Sequence, residues 1–150
     1  MTRALIKEVN IFNEENAPYS IDYSESYVRL NGEKKYGITY KFWLCDEKMP
    51  IIVSDICNTI ASMPKEFYGG RDIEIVFRQA FKGDPRLKKI NFDSESCIFE
   101  CRSLDFHILK SLVEEFIPII ENIDLCVQLL LEGAEGEYNH PNYKLSLIHI

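Results

Sequence analysis

At 150 residues, 46% hydrophobic and 27% charged, the chain has the size and composition of one globular domain and does not resemble a disordered polymer. No apolar run approaches the roughly 20 residues a membrane span needs; the longest candidates, such as 116–120, are broken by Pro118 or by charges. A net charge of -7 lacks the basic field that phosphate-backbone recognition requires, so direct nucleic-acid binding is not expected.

In chain order, strands are expected near 3–12, 27–31 and 36–45. A helix near 50–63 opens at Pro50, a favoured first helical residue, carries Ile52, Ile56, Ile60 and Met63 at helical spacing, and ends at Pro64. Gly69-Gly70 marks the turn into the next strand, near 72–82. There Ile73, Ile75 and Phe77 alternate with Glu74, Val76 and Arg78, a half-buried pattern. Gly83-Asp84-Pro85 and Asp93-Ser94-Glu95-Ser96 suit hairpin connections, with strands near 87–93 and 96–102.

A second helix is expected near 104–120. Ser103 is a natural N-cap, Asp105 complements the helix dipole in the first turn, and Leu109, Leu112, Val113, Phe116 and Ile120 form the core face. Pro118 is expected to kink or shorten its last turn. The run 123–132 is apolar enough for a central strand, although Leu125, Leu129 and Leu130 also fit a helical stripe. A last strand is expected near 143–150.

These elements imply an α+β fold: one antiparallel sheet of about six to eight strands with two main helices packed on one face, in a single domain spanning 1–150. The stretches 27–81 and 87–131 share the order strand, strand, helix, strand. Each follows a Ser-Glu-Ser turn and has a cysteine, Cys45 or Cys101, closing its second strand. Common turn chemistry accounts for this better than a true repeat.

The groups that could carry chemistry have structural explanations. Five cysteines, at 45, 57, 97, 101 and 126, give no disulfide framework and no zinc-like spacing; four lie in apolar runs and are expected to be buried free thiols. His107 shares a helix face with Ser111 and Glu114, but an exposed stripe neither orients nor desolvates a triad. Gly69-Gly70 lacks the lysine and hydroxyl of a phosphate loop. No catalytic residue, metal or cofactor is therefore expected. His140, in the loop Tyr138-Asn139-His140-Pro141-Asn142-Tyr143, is the residue with site-like surroundings, and Gly133 and Gly136 beside it should make the loop mobile. The charged N-terminal stretch lacks an apolar signal-peptide core, so the cytosol is the expected compartment.

The charge itself is localised. Segment 13–27 holds Glu14, Glu15, Asp22 and Glu25 without a base, and segment 132–138 holds Glu132, Glu135 and Glu137. Of 24 acids, the 17 outside these segments match the 17 bases, so the imbalance lies wholly in them. Tyr19, Tyr23 and Tyr27 interleave with the first set, and Tyr138 follows the second. Tyrosine gives large contact area at low entropic cost, and carboxylates around it steer a basic partner. The alternation of Tyr19, Ile21 and Tyr23 equally suits strand packing onto a core. The candidate partner-binding set is Glu14, Glu15, Tyr19, Asp22, Tyr23, Glu25, Tyr27, Glu132, Glu135, Glu137, Tyr138 and His140.

In size, charge and α+β character over its whole length, the chain resembles bacterial immunity proteins of polymorphic toxin systems, including contact-dependent growth inhibition. The resemblance rests on that overall character, without a motif. It implies a protein that occludes the active site or substrate groove of a cognate toxin, commonly a basic nuclease domain. Two other readings are a small-ligand or enzymatic domain centred on the His140 loop, and a homodimeric structural module using a sheet edge such as 144–150.

Overall fold

The computed structural model describes residues 1–45, 70–95 and 98–137, with the backbone alone for Cys45 and 134–137. The first element is a helix, α1 (Arg3–Glu15), where a strand was expected. Leu5, Val9 and Phe12 recur at the helical period, and Thr2 caps the start, its Oγ1 accepting from the Leu5 N–H at 3.1 Å. A hairpin of β1 (Ile21–Leu30) and β2 (Glu33–Cys45) follows, so the first sheet strand begins at Ile21 and not near 27. Asn31 and Gly32 close it with φ of 53° and 79°, and two positive φ values in a two-residue loop define the hairpin turn that favours Asn-Gly.

The second helix, α2 (Gly70–Ala80), replaces the strand expected at 72–82. A single 3-10 turn (Pro85–Lys89) and the two-residue β3 (Asn91–Phe92) stand where 87–93 was expected as one strand. Then come β4 (Ile98–Ser103), α3 (Phe106–Ile120) and α4 (Ile123–Glu137). The apolar run from Ile123 thus takes its helical alternative. The N-cap of α3 is Asp105, whose Oδ1 accepts from Ile108 N–H at 3.1 Å; Ser103 instead accepts from the Asp105 N–H at 3.0 Å. Pro118 lies inside α3, which continues to Ile120.

The sheet is antiparallel with order β1-β2-β4-β3. Among the described residues there are four strands and four α-helices, in place of six to eight strands and two helices. The architecture is α+β as expected, but much of the assumed sheet is helix. The helix expected at 50–63 and the strand at 143–150 lie outside the described residues. The element that closes each of the two similar stretches, α2 or α4, is a helix where a strand was expected. Asp93–Glu95 leads from β3 to β4 as a hairpin connection should, whereas Gly83-Asp84-Pro85 joins α2 to the 3-10 turn.

Helices cover the sheet face that carries Phe42, Leu44, Phe99 and Cys101. Phe99 is fully buried and meets Phe42, Phe77, Phe92 and Phe116 at ring-centroid distances of 5.6–6.4 Å. α2 packs on both β4 and α4, which explains why Ile73, Ile75, Val76 and Phe77 are all buried and why no single periodicity marked it as a helix. Arg86 pins the 3-10 turn to α3. It donates to both Asp84 oxygens, to Ser111 Oγ at 3.1 Å and to Glu115.

The register also fixes how far the hairpin projects. β4 pairs with β2 over Tyr40–Cys45, so among the described strands Glu33–Thr39 is bonded to β1 alone. The sheet curls across this overhang. Arg29 N–H donates to Asn91 Oδ1 at 2.8 Å, although β1 and β3 lie at opposite ends of the strand order. Val28, on the face away from the helices, is fully buried there.

Two glycines set the packing of α2. A Cβ on Gly70 would overlap the backbone carbonyls of Glu95 and Ile98, and one on Gly133 would come within 2.5 Å of Ile75 Cγ2. Gly70→Ala is expected to lower stability in urea by about 2–3 kcal/mol or more, because the obstacle is backbone. Gly133→Ala should cost less, since the ~1 kcal/mol gain in helix propensity offsets part of the clash with Ile75.

Candidate functional site

The acidic segment 13–27 runs from the last turn of α1 into the first half of β1. Glu14 and Glu15 are exposed at the helix end, and Asp22 and Glu25 are exposed on the strand. Some other acids are paired: Glu74 with Arg78, Asp84 and Glu115 with Arg86, Asp93 and Glu100 with Arg102, Glu100 also with Lys41, Glu114 with Lys110 and Glu8 with His107, whereas Glu33, Glu95, Asp105, Glu121, Asp124 and Glu132 take part in no ion pair among the described residues. Glu14, Glu15, Asp22 and Glu25 take part in no ion pair among the described residues. Asp22 accepts a hydrogen bond from Trp43 Nε1 at 2.9 Å, across the sheet face opposite the helices.

The three tyrosines separate by strand geometry. Tyr19 is 4% exposed and packs on Phe42, so its assignment to a partner surface is corrected: it belongs to the core. Burial raises its pKa, with the nearby Glu121 carboxylate adding to the effect, and its hydroxyl has no hydrogen-bond partner among the described residues. Tyr23 is 44% exposed and leans on buried Tyr40. Tyr27 is half-buried, stacked at a tilt on Tyr36 with centroids 5.7 Å apart, and Lys34 Nζ lies 4.7 Å from its ring centre. Tyr36, which no sequence pattern singled out, is 73% exposed.

Among the described residues β1 is an edge strand, and both its ends are closed by asparagines. Asn13 Nδ2 donates to Ile21 O at 3.1 Å, and Asn13 Oδ1 accepts from Ile21 N–H at 2.8 Å. At the other end Asn91 Oδ1 takes the Arg29 N–H. Ile21 and Arg29 therefore direct their backbone polar groups away from β2. Alternation in an antiparallel ladder makes Tyr23, Glu25 and Tyr27 do the same, while Asp22, Ser24, Ser26 and Val28 face β2. Between the two asparagines, the N–H and C=O groups of Tyr23, Glu25 and Tyr27 have no protein partner among the described residues. A shallow depression lined by Glu25, Ser26, Tyr36, Gly37 and Ile38 adjoins this stretch.

The second acidic segment is separate from the first. Glu132 is exposed on α4 and accepts from Gln128 at 3.1 Å and from Gln79 at 3.4 Å. Tyr19 sits beside Glu121, which precedes α4, whereas Glu132 lies nine residues into that helix, about 14 Å along its axis. No hydrogen bond or ion pair joins the two segments among the described residues. Glu135 and Glu137 lie on the last turns of α4, and Tyr138 and His140 lie outside the described residues.

The remaining titratable groups are dispersed. His107 Nε2 meets Glu8 of α1 at 3.0 Å, and Ser111 donates to the Ile108 carbonyl, so His107, Ser111 and Glu114 are directed to different partners. Cys101 and Cys126 are buried free thiols; burial raises both, Cys126 to about 12. Cys57 and Cys97 lie outside the described residues. No group of three or more His, Cys, Asp or Glu able to hold a metal occurs among the described residues. No helix among them is long and apolar enough to cross a membrane.

Asp72 is a buried acid in the first turn of α2. It is 1% exposed, and neither carboxylate oxygen has a hydrogen-bond partner among the described residues. Burial pushes its pKa from 3.8 to about 8, so the neutral acid dominates at neutral pH.

No family model matches the chain, and neither a curated protein nor a solved structure does. The site's geometry therefore stands without a relative to interpret it.

The raised Asp72 pKa makes folding take up a proton between the unfolded and folded values. Stability from this group is full below about pH 4 and falls as pH rises towards 8, by about 1.4 kcal/mol per pH unit. Asp72→Asn is expected to remove that slope, so the variant gains on the parent between pH 5 and pH 8. Urea unfolding at both pH values checks this; parallel behaviour of the two proteins would refute it.

Proposed function

We propose that the chain is a non-catalytic binding protein that neutralises a cognate basic toxin domain, of the nuclease type, in the cytoplasm. Its acidic surface covers the active site or substrate groove, with carboxylates occupying the positions where the toxin holds phosphates. The observation that carries this reading is the grouping of Glu14, Glu15, Asp22 and Glu25, all exposed and in no ion pair among the described residues, within a segment, 13–27, that holds no Lys or Arg. Other acids without an ion pair, such as Glu33, Glu95 and Asp124, are scattered along the chain, whereas these four fall together. Unpaired like charges repel one another and contribute nothing to folding, so their concentration on one edge suits an external cationic partner.

Stopped-flow association with the purified product of the neighbouring gene tests the reading. The association rate is expected to fall steeply with added salt. Replacing the four acids together by Glu14→Gln, Glu15→Gln, Asp22→Asn and Glu25→Gln should slow it by about tenfold or more at low salt, while dissociation changes less. A rate indifferent both to salt and to these substitutions would sink the proposal.

A further inference from the structure

From the same edge we infer a binding mode, which rests on the reading above: the partner adds an extended, basic segment as a fifth strand beside β1. The asparagine clamps bracket the site. Asn13 satisfies both backbone groups of Ile21, and Asn91 satisfies the N–H of Arg29. The outward N–H and C=O groups of Tyr23, Glu25 and Tyr27 between them form a strand template without protein partners among the described residues. Main-chain bonding of this kind needs no particular ligand sequence, and specificity comes from the side chains on either side of the edge.

Charge selects the occupant. Asp22 and Glu25 project to opposite faces of the sheet, and Glu14 and Glu15 stand at the Asn13 end. An added strand thus meets carboxylates on both faces over its first residues. Arg29, Lys34 and Lys35 lie at the turn end, so the cations of the ligand belong against Asp22 and Glu25 and not beyond Tyr27. A second copy of this chain fits poorly. The antiparallel register that pairs all three open residues of two β1 strands is centred on Glu25, which places Glu25 against its own copy. Like charges directly opposed across strands are destabilising.

The test uses a synthetic ten-residue peptide of alternating lysine and valine, its analogue N-methylated along the whole backbone, and the full-length protein. At low salt the unmodified peptide is expected to bind and to slow amide exchange at Tyr23, Glu25 and Tyr27 by about tenfold or more. Exchange at Asp22, Ser24, Ser26 and Val28 should be slow with or without peptide. The methylated analogue has the same charge and should bind at least about tenfold more weakly, the equivalent of one or two lost hydrogen bonds. Glu25→Pro removes one outward N–H without breaking the β1–β2 ladder, because proline is tolerated on a solvent-facing edge. It should weaken binding more than Glu25→Gln, which removes the charge alone; retained slow exchange at Ser24 and Ser26 shows that it folds.

Equal affinity for the two peptides would overturn strand addition and leave the acidic surface as an electrostatic site. Equal affinity of Glu25→Pro and Glu25→Gln in a folded protein would do the same. Failure of both peptides to bind also overturns it, and the stopped-flow experiment then judges the acidic surface separately. Concentration-dependent protection of Tyr23, Glu25 and Tyr27 without peptide would assign the edge to a second copy instead.

Discussion

The contact on which the rest of the molecule depends is the one made by Phe99. It sits on β4, bonded to the central strand β2, and its ring touches Phe42 from the sheet, Phe77 from α2 and Phe116 from α3. Aromatic pairs at these separations add to their area burial, and each ring here is shared by two or more elements. Gly70 brings the start of α2 against the backbone at Ile98, one residue from Phe99, and Gly133 brings α4 against α2. α2, α3 and α4 are therefore located from one point on β4.

The shortness of β4 leaves the hairpin projecting among the described strands. β2 is 13 residues long and β4 only 6, so the hairpin extends beyond the sheet that the helices cover. Residues that would face a core in a wider sheet, such as Glu25 and Tyr36, face water. The overhang is still held in shape by Val28 beneath it and by the Arg29–Asn91 bond at its side. A projecting edge that is also fixed in register can present its backbone groups in order, which a loose loop with the same residues could not.

How much of this was legible depends on the range of the interaction involved. α3 was visible because its core face repeats at 3.6 residues over its whole length, and β2 because its apolar residues alternate. α2 was misjudged because a helix packed on two sides buries Ile73, Ile75, Val76 and Phe77 alike, and three of the four also satisfy a two-residue period. α1 did carry a legible signal, Leu5-Val9-Phe12 behind Thr2, which outweighs the β-branched residues between them. Asn31-Gly32 was the strongest missed local cue. Taken as a two-residue hairpin turn, it pairs Leu30 with Glu33 and dictates every later pair up to Ile21 with Phe42. That register alone places Tyr23, Glu25 and Tyr27 in the same orientation. Strand order could not be inferred in this way, because the edge position of β1 follows from the non-local pairing of β2 with β4. The burial of Tyr19, which precedes the ladder and lies against the start of α4, is non-local too.

In the proposed binding mode, the short edge and the acids around it would solve different parts of one binding problem. From Tyr23 to Tyr27 the edge runs about 14 Å. Main-chain hydrogen bonds contribute a net ~1 kcal/mol each, and association costs several kcal/mol in lost freedom, so an edge of this length cannot hold a partner by backbone pairing alone. Exposed tyrosine surface at Tyr23 and Tyr36 supplies apolar contact beside it. On the proposed mode the carboxylates would act before contact, raising the rate at which a cationic segment arrives, and would oppose the like-charged edge of a second copy. Affinity would then divide by mechanism: charge would govern arrival and choice of partner, and the backbone edge with its tyrosines how long the partner stays.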